Sequence, residues 1–252
     1  MNSCICTHDN NKMISVIQDH PSTYDFRRRA NHEVEFRKIC TYLINNGHIK
    51  DNIIDSGAWV GDNAVPWAMN ITGMVYAIDP SSANCEFINR MANRNSVTNI
   101  RIFPYALSDK PEILRGNGNI NHCSFVENKA KGPEITAEAI SLDYLKQNNY
   151  INNIGFIHLD VEGYEFKAIK GGVDIIQSYK PIITFEQHTD VDDVKGLSNF
   201  LINLDYSVYI INEILQGCSH DCRNFIAFPN SMNMDVTSIN SALHAPDLIT
   251  KV

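Results

Sequence analysis

The chain has 252 residues, 44% of them hydrophobic and 20% charged, a globular composition with enough apolar mass for one sizeable core. No apolar run approaches the roughly 18 residues of a membrane span, which excludes a membrane-embedded chain, and the composition excludes a wholly disordered one. With 21 Lys and Arg against 29 Asp and Glu the net charge is −8, so nucleic acid and anionic membrane are repelled on average and neither is the expected partner.

Seven cysteines, an odd number without regular framework spacing, and a start (MNSCICTHDNNK) without a charged leader and apolar stretch predict a reducing, cytoplasmic setting. No internal repeat or long linker divides the chain. The reading is an N-terminal extension and capping helix over 1–50, a core over 51–230 and a C-terminal tail over 231–252.

In chain order, the first twenty or so residues read as polar and irregular. From Arg27 to Asn46 the apolar Val34, Ile39 and Leu43 lie about one helical turn apart with Gly47 as a stop, which predicts an amphipathic helix. Short apolar runs then end in polar or acidic residues: Ile53–Ile54 on Asp55, Val75–Ile78 on Asp79, Ile100–Phe103 on Pro104, Phe156–Leu159 on Asp160, Ile182–Phe185 on Glu186. Helical composition fills Ala64–Met69, Ala83–Asn95, Tyr164–Ile169 and Val194–Leu204 between them. This alternation predicts an α/β fold, a doubly wound, mainly parallel sheet; Tyr206–Ile211 and Asn224–Phe228, joined by a loop too short for a crossover helix, add an antiparallel edge hairpin. In such sheets ligands sit beyond the carboxyl ends of the strands, which draws attention to Asp55, Asp79, Asp160 and Glu186.

The first of these ends opens a glycine turn, Asp55-Ser56-Gly57-Ala58-Trp59-Val60-Gly61. Its Gly-x-x-x-Gly spacing differs from the dinucleotide fingerprint, and no Gly-Lys-Ser/Thr follows to hold a triphosphate. Asp79, about 20 residues on, is placed either to accept from two ribose hydroxyls or to cap the helix near Ser81–Ser82. Glycines without phosphate-binding features plus a ribose-reading acid point to a nucleoside lacking a pyrophosphate, and S-adenosylmethionine is the candidate.

From Asn52 to Pro229 the chain resembles the FkbM-type methyltransferases, through IIDSGAWVGD, VYAIDPSSANCEFINRMANRN, IRIFPYALSD, ISLDYL, FIHLDVEGYEFKAIKGG, PIITFEQH and NFIAFP. LDVEGYE followed by a helix and Gly-Gly is the most specific of these. Asp79 stands where many members have glutamate, and the segment after Asp109 lacks the usual glycine-led turn. The resemblance implies a class I, Rossmann-like, S-adenosylmethionine-dependent O-methyltransferase. Carried over, it sets the methionine moiety against Asp55 and the turn Gly57, Ala58 to Gly61, the ribose on Asp79 with Pro80 beneath the adenosine, the adenine near Tyr105, Ala106 and Leu107, and Asp160 at the sulfonium end.

Asp160 and Glu162 are expected to line the cofactor crevice, Glu165 to cap the following helix. Asp160, Glu186 and His188 are the candidates for acceptor chemistry, since a sugar hydroxyl must lose its proton as the new bond forms. Mg²⁺ or Mn²⁺ on the Asp160 and Glu186 oxygens is the less favoured alternative, so no metal ligands are assigned. Cys218-x-His220-x-Cys222 and Cys4-x-Cys6-x-His8 lack the Cys-x-x-Cys spacing of structural zinc, and Arg27, Arg28 and Arg29 read as a solvated face. The acceptor is read as a small molecule or oligosaccharide bearing a sugar hydroxyl. Methylation of another small-molecule or lipid hydroxyl or carboxyl, and a non-catalytic cofactor-binding subunit, are the rivals.

Overall fold

The computed structural model describes residues 5–10, 12–18, 20–118, 123–126, 132–215 and 220–252, with backbone alone for 5–9 and 123. Cys4 and Cys218, and the side chains of Cys6 and His8, lie outside the described residues.

The first segment is not irregular. β1 (Ile5–Asp9) and β2 (Lys12–Val16) form an antiparallel hairpin, and Ile14 and Val16 are fully buried, because these two apolar residues flank Ser15 on one face of the strand, which lies on the core. The single helix expected over Arg27–Asn46 is two, α1 (Ser22–Arg28) and α2 (Val34–Asn45). Glu33, at φ +53°, turns the chain between them, and the Glu213 carboxylate accepts from the backbone N–H groups of Glu35 and Phe36, both at 3.0 Å. The first turn of α2 is thus satisfied by a residue far along the chain rather than by a local cap.

Next come β3 (Asn52–Ser56), α3 (Ala64–Asn70), β4 (Val75–Ile78), α4 (Ser82–Arg94) and β5 (Ile100–Phe103). A four-stranded insertion follows from β6 (Ala106–Leu107), β7 (Glu112–Gly118), β8 (Cys123–Ser124) and β9 (Glu134–Ile140). The chain then runs through α5 (Leu142–Gln147), β10 (Ile154–Leu159), α6 (Glu165–Lys170), α7 (Val173–Tyr179), β11 (Ile182–His188), α8 (Val194–Asn203), β12 (Tyr206–Ile211) and β13 (Cys222–Pro229). The segment after residue 230, read as a tail, supplies α9 (Val236–Ala242) and β14 (Ile249–Lys251).

The central sheet has the order β14-β12-β13-β11-β10-β3-β4-β5. β11, β10, β3, β4 and β5 are parallel, and all but the edge strand β5 are buried almost continuously along both faces. β12 and β13 pair antiparallel as expected, but β13 inserts between β11 and β12, and β14 takes the edge. Alternate residues feed two cores. Ile53, Val75 and Phe156 meet α2, α3, α4 and β2, while Ile54, Ile157, Leu159 and Phe185 meet α6, α7 and α8.

The strand order reverses between β3 and β10, and a crevice opens there beyond their carboxyl ends. The ladder continues into it, since the Asp160 N–H donates to the Ser56 carbonyl at 2.9 Å. The insertion sheet roofs this point. Ser124 Oγ donates to the Glu162 carbonyl at 3.0 Å, and the Phe125 ring meets Tyr164 edge-on.

Candidate active site

The crevice is a cavity of about 340 Å³, the size of a small-ligand site. Of the sequence-predicted residues, Asp55, Gly57, Ala58, Asp79, Pro80, Ala106, Asp160, Glu162, Glu186 and His188 all line it. Gly61 does not. A Cβ there would press on Ile88 and Val65, so Gly61 (φ +71°) closes the turn and admits α4 rather than facing the cavity.

Gly57 is demanded on two grounds. Its φ is +75°, and a Cβ would collide with the carbonyl of Asp160, so the β3 turn and the end of β10 touch at bare backbone. Asp55, on β3 just before the turn, is 1% exposed, and its Oδ2 has no hydrogen-bond partner. Burial, then the charges of Asp62 and Glu33, push its carboxyl well above the usual carboxylate range.

Asp79 ends β4 with both oxygens engaged. Oδ2 accepts from the Trp59 N–H at 2.8 Å, and Oδ1 accepts from the Ser81 N–H at 2.8 Å and from Asn84 Nδ2 at 3.1 Å. Ser81, not Asp79, caps α4, its side chain accepting from the Asn84 N–H. Asp79 therefore ties the glycine turn to the β4–α4 loop, and burial raises its carboxyl to about 6 against these hydrogen bonds. Oδ2, with a single bond, retains lone-pair capacity toward a ligand.

Just past the end of β10, Asp160 joins Glu186 of β11 in the lining of the cavity. Burial comes first, then the negative charges of Glu162 and Glu33 for Asp160 and those of Asp160 and Glu33 for Glu186, and both carboxyls are pushed up well above the ordinary range. Glu162 sits in the turn before α6 at φ +54°, and Glu165 Oε1 closes that turn by accepting from Val161 and Gly163 N–H at 2.9 and 3.2 Å.

His188 is the last residue of β11, a strand that runs three residues beyond the apolar run Ile182–Phe185 because it pairs with β13 as far as Cys222. Asp192 accepts from its backbone N–H at 2.7 Å and lies 3.3 Å from its Nδ1. Among the described residues, no group of His, Cys, Asp and Glu could hold a metal ion.

Residues 55–211 match the family described as Methyltransferase FkbM domain. The chain belongs to the FkbM methyltransferase family. It is similar to the crystal structure of an FkbM methyltransferase from Methylobacillus flagellatus, with a TM-score of 0.51 at 16% identity over 70% of this chain and 43% of that one. The chain thus spans less than half the length of that protein. Other matches are a Streptococcus mutans protein solved in complex with SAH (TM-score 0.48, 10% identity, 79% and 98% covered) and a SAM dependent methyltransferase from Aquifex aeolicus (0.44, 12%, 84% and 94%). No curated protein matches the sequence. The fold is that of the class I SAM-dependent methyltransferases.

This FkbM domain also draws on residues that sequence reasoning missed. His158 lines the cavity, and its presence was legible in principle, since it stands two residues before Asp160 on the same face of β10. Its Nδ1 lies 3.0 Å from Thr184 Oγ1, its ring packs on Phe36, and burial lowers its pKa to about 4, so it is neutral. Arg28 and Arg29 line the cavity instead of forming a solvated face. Arg29 is 6% exposed, and its Nε donates to the Asp62 carbonyl at 2.8 Å. Glu33 reaches across to accept from Asn224 Nδ2 of β13 at 2.8 Å and pairs with Arg37, which also binds Asp62 at 2.5 Å. Burial opposes ionisation of Glu33, but the hydrogen bond with His32 and the Arg37 charge outweigh it and hold the carboxyl at about 2.

Proposed function

We propose that the protein is an S-adenosylmethionine-dependent O-methyltransferase whose acceptor is a hydroxyl of a sugar or glycan. The observation that carries the cofactor reading is the buried Asp55 Oδ2 without a partner, beside a Gly57 that no side chain can replace and an Asp79 with acceptor capacity to spare. A carboxylate oxygen left bare at 1% exposure fits a ligand ammonium, and Asp79 fits a ribose diol. Gly57 and Ala58 then carry the methionine end, and Pro80 and Ala106 flank the nucleoside, with Asp160 and Glu162 at the reacting end. Bound there, S-adenosylmethionine supplies a methyl group on a sulfonium whose departure leaves a neutral thioether.

The residues beyond the cradle suit a hydroxyl acceptor. The Asp192 carboxylate favours the proton of His188 on Nδ1, which makes Nε2 the basic nitrogen, the arrangement that fixes a histidine as a general base. Asp160 and Glu186, both pushed toward their neutral forms, line the same cavity as His188 and orient a second hydroxyl of the acceptor. As the acceptor oxygen bonds to the methyl carbon, its proton passes to His188. Mg²⁺ or Mn²⁺ has no part in this reading. The free thiol of Cys85 fits a reducing, cytoplasmic setting, and among the described residues no helix is long and apolar enough to cross a membrane.

Incubation with labelled cofactor and a panel of sugars and oligosaccharides tests the activity. His188→Ala or Asp192→Asn should lower turnover by about 10²- to 10⁴-fold with cofactor affinity retained. Near wild-type turnover in both variants refutes the base, and loss of turnover on adding a chelator to the wild type refutes the metal-free reaction.

A further inference from the structure

The cavity is lined by seven carboxylic side chains, those of Glu33, Asp55, Asp62, Asp79, Asp160, Glu162 and Glu186. Any ligand carboxylate that enters must find a cation whose charge is not already matched. Arg37 is matched, wedged between Glu33 and Asp62. Arg28 is different: it lines the cavity, is half-buried, and its side chain has no hydrogen bond, ion pair or ring contact. A half-buried guanidinium with five donors and nothing on them is an anion site in waiting.

Its position is set by its neighbours. Arg29 Nε holds the Asp62 carbonyl at 2.8 Å, Arg37 donates to the Arg29 carbonyl at 3.2 Å, and Arg37 Nε donates to Asn63 Oδ1 at 3.0 Å. The backbone at Arg29 is thereby pinned to Asp62 and Asn63, directly after the glycine turn, and Arg28 is one residue away. Asp62 is also close enough for its charge to act on Asp55, which lines the same cavity with its Oδ2 unpartnered.

We infer that Arg28 is the carboxylate clamp of the cavity, so that Asp55 and Arg28 read the two charges of one amino-acid end, ammonium and carboxylate, on the bound S-adenosyl ligand. The inference rests on the cofactor reading above and adds a residue that comes from outside the nucleotide-binding core, at the C-terminal end of α1. It makes that helix end part of the cofactor site.

Calorimetry with two probes tests it, S-adenosylhomocysteine, which carries the amino-acid end, and 5′-methylthioadenosine, which lacks it. Arg28→Gln should weaken S-adenosylhomocysteine by about 10- to 100-fold and leave 5′-methylthioadenosine within about twofold, because only one probe has a carboxylate to lose. Arg28→Lys should restore part of the loss, and Arg27→Gln, an exposed neighbour, should change neither. Equal losses for both probes would make Arg28 a structural residue and overturn the inference, as would unchanged affinity for both. Unchanged S-adenosylhomocysteine affinity together with a raised KM confined to phosphate- or carboxylate-bearing acceptors overturns it in favour of an acceptor anion. Binding of neither probe to the wild type refutes the cofactor reading, and the inference falls with it.

Discussion

Asp79 offers a test in which pH and mutation must agree. Its carboxyl is raised from 3.8 to about 6, chiefly by burial, while a ribose diol needs the ionised form as acceptor. Ligand binding at pH 5 must therefore first remove a proton that is already absent at pH 7, so S-adenosylhomocysteine affinity should fall about tenfold between pH 7 and pH 5. Asp79→Asn removes that ionisation. It also turns an amide donor toward one of the three donors the carboxylate now accepts from, Trp59 N–H, Ser81 N–H and Asn84 Nδ2. Losing two charge-assisted bonds to ribose should weaken binding by roughly 2–4 kcal/mol at pH 7.5 and flatten the component of the pH profile centred near 6. The unliganded protein gives an independent reading of opposite sign. An acid raised on folding contributes stability that is fully present below its unfolded pKa and lost as pH rises through the folded one, here from about 4 to about 6. The shift from 3.8 to about 6 corresponds to about 3 kcal/mol, which urea unfolding of wild type and variant across that window should resolve. Calorimetry that finds the same affinity or the same pH slope in the variant as in the wild type refutes the ribose assignment.

Two further substitutions probe the frame of the cavity. Gly57→Ala combines a strained φ of +75° with a Cβ driven into the Asp160 carbonyl, and should cost about 2–4 kcal/mol in urea unfolding; a loss under about 1 kcal/mol contradicts the close approach. Arg37→Met strips the shared cation from the buried Glu33 and Asp62 and should destabilise by about 3–5 kcal/mol at neutral pH, with part of the loss recovered in acid as Glu33 protonates; a pH-independent loss indicates packing alone.

The parallel strands were readable because a strand buried on both faces needs a continuous apolar run, and the residue that ends the run must be polar enough to face the crevice. Asp55, Asp79 and Asp160 announce themselves in this way, although Asp55 falls inside β3 rather than after it. What escaped is tertiary in origin. Nothing between Arg27 and Asn46 breaks helical periodicity; the break comes from Glu33 reaching Asn224 and from Glu213 capping α2, partners on the far side of the sequence. The insertion sheet escaped because β7 and β9 expose alternate residues and pair mainly with each other, so neither shows the run of a buried strand. His158 was hidden by its company, an imidazole within an apolar strand, where only its two-residue spacing from Asp160 signals the cavity.

The acids of the cavity are not alike, and the difference bears on the proposed reaction. Glu33 is ionised and matched by Arg37, whereas Asp55, Asp160 and Glu186 are all pushed toward their neutral forms by burial and by neighbouring carboxylates, Glu33 among them in each case. A cavity in that state favours a ligand that brings positive charge, because each carboxyl that ionises beside an ammonium or a sulfonium replaces repulsion by attraction. Methyl transfer to a hydroxyl removes the charge on sulfur and at the same moment releases a proton. If His188, on the strand that carries Glu186, takes that proton, the total charge inside the cavity is unchanged while its location moves from the ligand to the protein. The acids that held a cationic ligand then face a neutral thioether, so the attraction that favoured binding weakens only after the bond has formed.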